Sequence, residues 1–203
     1  MNILLHVCCG PCAIYPLRIL RERGHRVRGY FYNPNIHPFR EFIRRISALN
    51  ELADRTAFPV DIDDRYGLTE YLRRVVFHEK QRCAVCYDLR LEETARKAAR
   101  ENEEAFTTTL LYSKYQKHDL IKEKGLQLAG KYGVQFYYED FRPGWQEGID
   151  RALAMGLYRQ PYCGCIYSEQ ERYDRSLRKK GKRSHNNISG ENHATYHRAG
   201  DQQ

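Results

Sequence analysis

The segment Leu5-His6-Val7-Cys8-Cys9-Gly10-Pro11-Cys12 constrains this chain more than any other stretch. Its first residue closes the apolar run Ile3-Leu4-Leu5. A short apolar run closed by Gly-Pro reads as a buried strand that ends in a turn. Pro11 has the fixed φ that suits a first helical position. This reading puts Cys8 and Cys9 at the C-terminal end of a first strand, and Cys12 in the first turn of the helix that follows. In open α/β sheets that strand end is where ligands bind. A helix N-terminus also favours thiolates through its free N–H groups and its dipole. A free cysteine is often no more than a small buried apolar residue. Here, however, all 7 cysteines come in close groups, the others being Cys83-Ala-Val-Cys86 and Cys163-Gly-Cys165. Two vicinal thiols plus a C-x-x-C suit a four-thiolate metal site.

An odd number of cysteines argues against a disulfide scaffold and for metal or redox chemistry. The 203 residues suit one domain with a small appendage. With 41% hydrophobic residues the chain can bury a substantial core. It has no uninterrupted apolar window of the roughly 18 residues that a membrane span needs. Its first residues lack the basic and then apolar pattern of a secretory signal, so the expectation is a cytoplasmic protein. The net charge is +8. From Arg172 onward eight basic residues face three acidic ones, so most of the excess lies at the C-terminal end. Such a run either contacts nucleic acid or is simply a solvated tail.

Taken in order, the pattern predicts a helix over 11–23 that stops at Gly24, with Pro16 kinking it or delaying its start. A second strand over 27–32 runs into Asn33-Pro34-Asn35-Ile36-His37-Pro38. A helix over 39–55 carries Phe42, Ile46 and Leu49 on one face, and a third strand covers 58–62. A short helix over 68–76 precedes a long one over 83–102, supported by the i,i+4 pairs Glu92/Arg96 and Glu93/Lys97. The fourth strand is read over 106–111, the next helix over 117–132 and the fifth strand over 134–138. Helices over 145–155 and 168–180 follow, and residues 181–203 read as a basic, polar, disordered tail. Strands alternating with helices imply an α/β fold, a doubly wound, mostly parallel five-stranded sheet with a C-terminal helical extension. Residues 1–180 would form this single domain. The strand order 3-2-1-4-5 puts the switch point between strands one and four, where Cys8-Cys9 and Thr107-Thr108-Thr109 share a crevice.

Six segments carry a resemblance to a known family: HVCCGPC (6–12), FYNPNIHP (31–38), RCAVCYDLRL (82–91), FTTTLLYSKYQ (106–116), YYEDFRPGW (137–145) and YRQPYCGCIYS (158–168). Together they span most of residues 3–168, and the chain resembles the epoxyqueuosine reductases of the QueH type, iron–sulfur enzymes that do not use cobalamin. The resemblance implies an adenine-nucleotide α-hydrolase-like (HUP) fold. It also implies the last step of queuosine synthesis, reduction of the cyclopentane epoxide of epoxyqueuosine in tRNA to the cyclopentene. Carried over by motif, Cys8, Cys9, Cys83 and Cys86 match the ligands of a [4Fe-4S] cluster, and Cys163 and Cys165 match a redox-active pair. The partners implied are a tRNA with epoxyqueuosine at its wobble position and an unidentified electron donor, with no membrane.

The chemistry fits independently. Removing an epoxide oxygen needs two electrons and two protons, and a cluster or a dithiol supplies the electrons. An additional iron ion near the epoxide oxygen would help C–O cleavage, with Cys12 and Asp88 as candidates near it. Tyr162, Tyr112, Tyr115 and Lys114 are acid or positioning candidates among 16 tyrosines, most of which only pack. His6 reads as a hydrogen-bonded core histidine and His37 as a loop residue at the ligand edge. Arg159 and Arg142 are candidates for tRNA phosphates or for surface salt bridges. Two other readings compete. A cluster-dependent tRNA sulfurtransferase of similar fold would carry an SGGxDS-type phosphate loop where this chain has Cys-Cys-Gly-Pro-Cys. A zinc module that binds nucleic acid would also use four thiolates, but it leaves three cysteines unexplained.

Overall fold

A computed structural model describes residues 1–176. The tail read over 181–203, and the end of the last helix expected up to 180, lie outside the described residues. Five strands, β1 (Asn2–His6), β2 (Arg26–Phe31), β3 (Val60–Ile62), β4 (Ala105–Thr108) and β5 (Gln135–Phe136), form one sheet of order β3-β2-β1-β4-β5. Every pairing is parallel, as the strand–helix alternation and the expected order require. β1 is central, and Ile3, Leu4 and Leu5 are fully buried, which is why it is a continuous apolar run rather than an alternating one. Each such side chain contributes about 1.5–3 kcal/mol by leaving water. The register places His6 beside Tyr30 on one flank and beside Thr108 on the other.

The helices are α1 (Gly10–Glu22), α2 (Phe39–Thr56), α3 (Leu68–Val75), α4 (Arg82–Arg100), α5 (His118–Tyr132), α6 (Trp145–Ala154) and α7 (Ile166–Tyr173). α1 packs with α2 and α6, while α4 packs with α5, so the helices cover both faces of the sheet. α1 runs through Pro16 without interruption; Pro16 has no N–H, so the Cys12 carbonyl loses its helical donor. Gly10 fixes how α1 starts. A Cβ there would lie 2.4 Å from the Ala48 carbonyl oxygen, so no larger residue allows this approach of α1 to α2.

Three expected strands are shorter. β4 stops at Thr108 because its hydroxyl accepts from the Leu110 N–H at 3.1 Å, which folds Thr109–Tyr112 into a 3-10 turn. The edge strands β3 and β5 cover 3 and 2 residues. α7 starts at Ile166, ahead of the expected Ser168, and breaks at Asp174. No helix among the described residues is long and apolar enough to cross a membrane.

Candidate functional site

β1 ends at His6, and the chain turns through Val7, Cys8 and Cys9 into α1. Cys9 is the extended N-cap of α1, and Cys12 lies in its first turn. This turn gathers three buried thiols: the sulfurs of Cys8, Cys9 and Cys12 all lie within 4.8 Å of one another, a grouping that could hold a metal. Thr109, carried by the 3-10 turn after β4, accepts from the Cys8 N–H at 3.1 Å and donates to Cys8 Sγ at 3.3 Å. The expected crevice between β1 and β4 therefore exists, with Thr109 as the threonine that reaches the cysteines. Thr108 instead binds the His6 ring.

The three thiols hold charge unequally. Hydrogen bonds from Cys12 and Cys9, then from Thr109, together with the Arg90 charge, hold Cys8 well below the usual thiol range against the effect of burial. Burial pushes Cys9 up, and hydrogen bonding to Cys8 and Cys9 pushes Cys12 up. The Cys8 thiol is thus the most acidic of the three.

The second cysteine group lies in the first turns of α4. Cys83 is half-buried and Cys86 is buried; burial pushes the Cys86 thiol up to about 12, with Arg90 pulling the other way. Arg90, one turn further along α4, is 1% exposed. Its guanidinium donates to Cys86 Sγ at 2.9 Å, to the Cys86 carbonyl at 3.3 Å and to Asn33 Oδ1 at 3.4 Å. No carboxylate pairs with it among the described residues. Burial opposes its charge, but Cys86, Cys163 and Cys8 outweigh that and keep its pKa raised. This buried cation bonds the Cys86 sulfur and shares the cavity wall with Cys8, Cys12 and Cys163, which ties the three cysteine groups into one site.

The third group is clamped from beneath. Arg45, also 1% exposed, donates to the carbonyls of Cys163 at 2.8 Å and Tyr162 at 2.9 Å. Glu41, which accepts from Arg45 at 2.8 Å and from the Tyr158 hydroxyl, balances its charge. Gly164 has φ 147°, in the region that favours glycine. Its carbonyl accepts from the His37 N–H at 2.8 Å. Cys163 and Cys165 stand as free thiols, as do all seven cysteines. Cys163 is exposed, and its sulfur accepts from Gln116 Nε2 at 3.1 Å. Cys165 is the N-cap of α7 and packs with Tyr71, Val75, Cys86 and Leu89.

A cavity of about 750 Å³ opens over these groups, and Cys8, Cys12, Arg90 and Cys163 are in its wall. Gln160 Nε2 donates to Cys12 Sγ at 3.1 Å from the same wall. Tyr112, Tyr115, Tyr162 and Arg159 line it as well.

The structure sorts the remaining candidates. Asp88 is spent in a salt bridge with Lys124 at 2.9 Å, on the α5 side of α4, and does not line the cavity. The Tyr162 hydroxyl donates to the His37 carbonyl at 2.6 Å and the Tyr112 hydroxyl to the Trp145 carbonyl at 2.9 Å, so neither is a free acid. Lys114 is exposed outside the cavity lining, and Arg142 pairs with Asp140 at 2.6 Å. His6 is a core histidine: it binds the Thr108 hydroxyl at 2.9 Å and the Tyr32 carbonyl at 3.3 Å, and burial lowers its pKa to about 3. His37 is 1% exposed rather than open at the loop edge, packed against Tyr66 and Tyr71.

Sequence reasoning missed Arg90, Arg45, Gln116 and Gln160. Arg90 left one signal, a charged residue one turn after Cys86 on the face of α4 that also carries the buried Tyr87 and Leu91. The two glutamines sit inside the quoted motifs, but their residue type alone says nothing about sulfur contacts.

The comparisons with known proteins agree with this geometry. The sequence profile of the family described as "Epoxyqueuosine reductase QueH" matches residues 3–171. An epoxyqueuosine reductase QueH of Dehalococcoides mccartyi is 38% identical over 172 residues, covering 85% of this chain and 94% of that protein. One of Thermotoga maritima is 35% identical over 197 residues, covering 91% and 98%. Among solved structures, the "predicted subunit of tRNA methyltransferase" from Methanocaldococcus jannaschii matches with a TM-score of 0.54 at 13% identity, over 89% of this chain and 88% of that one, a likeness of fold alone. With the profile matched from β1 to α7 and every cysteine group inside it, this chain belongs to the epoxyqueuosine reductase QueH family.

Proposed function

We propose that this chain removes the epoxide oxygen of epoxyqueuosine at the wobble position of tRNA, forming queuosine and water. The observation that carries the reading is a cavity that Cys8, Cys12 and Cys163 line together with the buried Arg90, which bonds Cys86 of the remaining cysteine motif, in a chain of this family. The donor set fits an iron–sulfur group. Soft thiolates select such clusters or zinc, and Arg90 offsets the negative charge that several thiolates bring. In this reading Cys8, Cys9, Cys83 and Cys86 hold a [4Fe-4S] cluster, which supplies reversible one-electron transfer when bound. Cys12, drawn against Cys8 and Cys9, is the candidate ligand of an additional iron ion, which would act as a Lewis acid.

Converting the epoxide to the alkene plus water consumes two electrons and two protons. A dithiol that becomes a disulfide releases the same number of each. Cys163 and Cys165 therefore balance one turnover, and an external electron donor returns them to thiols. Arg45 fixes the carbonyls on either side of the Tyr162–Cys163 bond, so the pair keeps its place as it cycles. Gln160 and Gln116 donate to Cys12 and Cys163, where they orient the sulfurs facing the cavity. A tRNA substrate and seven unpaired cysteines suit a reducing cytoplasm. The basic residues after Arg172 add phosphate contacts that hold tRNA without reading its sequence.

The test uses protein purified without oxygen, analysed for iron and sulfide, and then given tRNA carrying epoxyqueuosine with a chemical reductant. Digestion of the tRNA and mass analysis of its nucleosides should show queuosine. Iron-loaded protein that leaves epoxyqueuosine untouched would sink the assignment. Zinc in a colourless protein would favour a structural metal instead.

A further inference from the structure

We propose that Tyr115 and Trp145 form a stacking wall that holds an unpaired nucleobase of the RNA substrate at the thiol cavity. The inference rests on the proposed tRNA substrate and adds how its reacting nucleotide is gripped. The wall is built in three steps from the interior outward. Tyr112 is buried and anchored, since its hydroxyl donates to the Trp145 carbonyl at 2.9 Å. Gly148 makes room for it: a Cβ there would lie 2.1 Å from the Tyr112 oxygen. The Trp145 ring lies against Tyr112 with centroids 5.1 Å apart. The Tyr115 ring then stands edge-on to Trp145, at 5.6 Å and 80°.

Tyr115 is 83% exposed, although all three rings line the same cavity as Cys8, Cys12 and Cys163. The row thus begins in the wall that Tyr112 shares with Cys12 and ends in solvent at Tyr115. A large aromatic held out on a rigid support has no packing function of its own. It offers a π-face, and an unpaired base of any sequence stacks on such a face.

The chemistry of the surround favours a nucleotide over an apolar peptide. Arg159 lines the same cavity and takes part in no ion pair among the described residues, which leaves its guanidinium for a phosphate. Gln116, Gln160 and Ser113 add polar groups to the lining. With the base against Trp145 and Tyr115, a substituent carried on that base can extend along Tyr112 toward the cysteines.

Trp145 is the only tryptophan in the chain, so intrinsic emission reports on the wall directly. The experiment titrates the metal-loaded protein with a short RNA stem-loop whose loop is unpaired, and with a fully paired duplex of the same composition. Tyr115→Ala and Tyr115→Phe are tested beside the wild type, on the stem-loop and on tRNA carrying epoxyqueuosine. The stem-loop should change the Trp145 emission and the duplex should not. Tyr115→Ala should weaken stem-loop binding and raise KM by about tenfold, a typical loss for one base stack, while kcat changes less than twofold. Tyr115→Phe keeps the ring and should behave as wild type.

Two results overturn the proposal: Tyr115→Ala with wild-type KM and stem-loop affinity, or an emission change equal for stem-loop and duplex. Quenching by an apolar peptide but not by the stem-loop would also overturn it, in favour of a protein partner. Stem-loop binding with the expected emission change, in a loaded protein that never reduces epoxyqueuosine, would keep the wall and remove the reaction. Normal turnover with an unaffected Tyr115→Ala variant would do the reverse.

Discussion

Nη2 of Arg90 lies 2.9 Å from Sγ of Cys86, one helical turn apart on α4, with both side chains buried. A guanidinium in that position needs negative charge within reach, and sulfur is what surrounds it. Removing it leaves the buried Cys86 sulfur and carbonyl and the Asn33 amide oxygen without their donor, a change that costs about 1–3 kcal/mol. Arg90→Gln should therefore lower the denaturant midpoint and reduce the iron retained after purification. Unchanged midpoint and iron content would show that the cation is dispensable and that the cysteines do not share one electrostatic site.

The ligand assignment is open to a sharper test, because the structure draws Cys12 in with Cys8 and Cys9 while Cys83 and Cys86 lie beyond that trio on α4. Replacing Cys8, Cys9, Cys83 or Cys86 by Ser should each strip iron, sulfide and visible absorbance. Cys12→Ser should keep the cluster absorbance. Should Cys83→Ser retain full iron and sulfide while Cys12→Ser loses both, the metal belongs to the trio instead.

The parts of this molecule written in short-range pattern were readable in advance. β1 is a continuous apolar run because it is central in a parallel sheet, and the Gly-Pro after it sets the turn that gathers the thiols. The parallel pairing followed from strand–helix alternation, whereas the order 3-2-1-4-5 was not dictated by it. Contacts between distant segments were not readable. Asp88 reads as a candidate near an additional iron, but two positions after Cys86 along a helix points it to another side, where Lys124 takes it. Thr109 reads as strand until the Thr108 hydroxyl bends the chain. Arg45 holds a loop 118 positions away, a relation that no local pattern records. His37 reads as a loop residue at the ligand edge, and its burial comes from Tyr66 and from Tyr71 of α3, which pack against it.

His37 makes stability depend on pH. Burial lowers its pKa from 6.5 to about 4, and the nearby Pro34 backbone offsets only part of that. Its ring nitrogens have no well-aligned hydrogen-bond partner among the described residues. The folded pKa lies below the unfolded one, so as pH falls the unfolded chain takes up the proton first. The contribution of neutral His37 is intact above pH 6.5 and is lost between 6.5 and about 4, to a total of about 3 kcal/mol. Urea midpoints measured across that window should fall with pH, with buried His6 contributing as well, and His37→Gln should make the slope less steep. An equally steep slope in the variant would assign the dependence to other groups.

Cys163 and Cys165 are separated by one residue, so a bridge between them closes a small ring that departs from relaxed disulfide geometry. Strain of that kind makes a disulfide easy to reduce, as a catalytic pair requires and a structural staple does not. Gly164 supplies the backbone freedom at φ 147°, and Arg45 holds the Tyr162 and Cys163 carbonyls while the sulfurs react. Cys163→Ser and Cys165→Ser should each retain iron and sulfide but lose at least a hundredfold in turnover, about 2.7 kcal/mol of barrier. Thiol counting on the wild type, before and after mild oxidation, should find two fewer thiols, and peptide mapping should place both in the segment from Tyr162 to Ile166. Iron lost together with either cysteine would make them metal ligands instead. Full turnover in both variants would take the pair out of the reaction and leave the two electrons to the metal site alone.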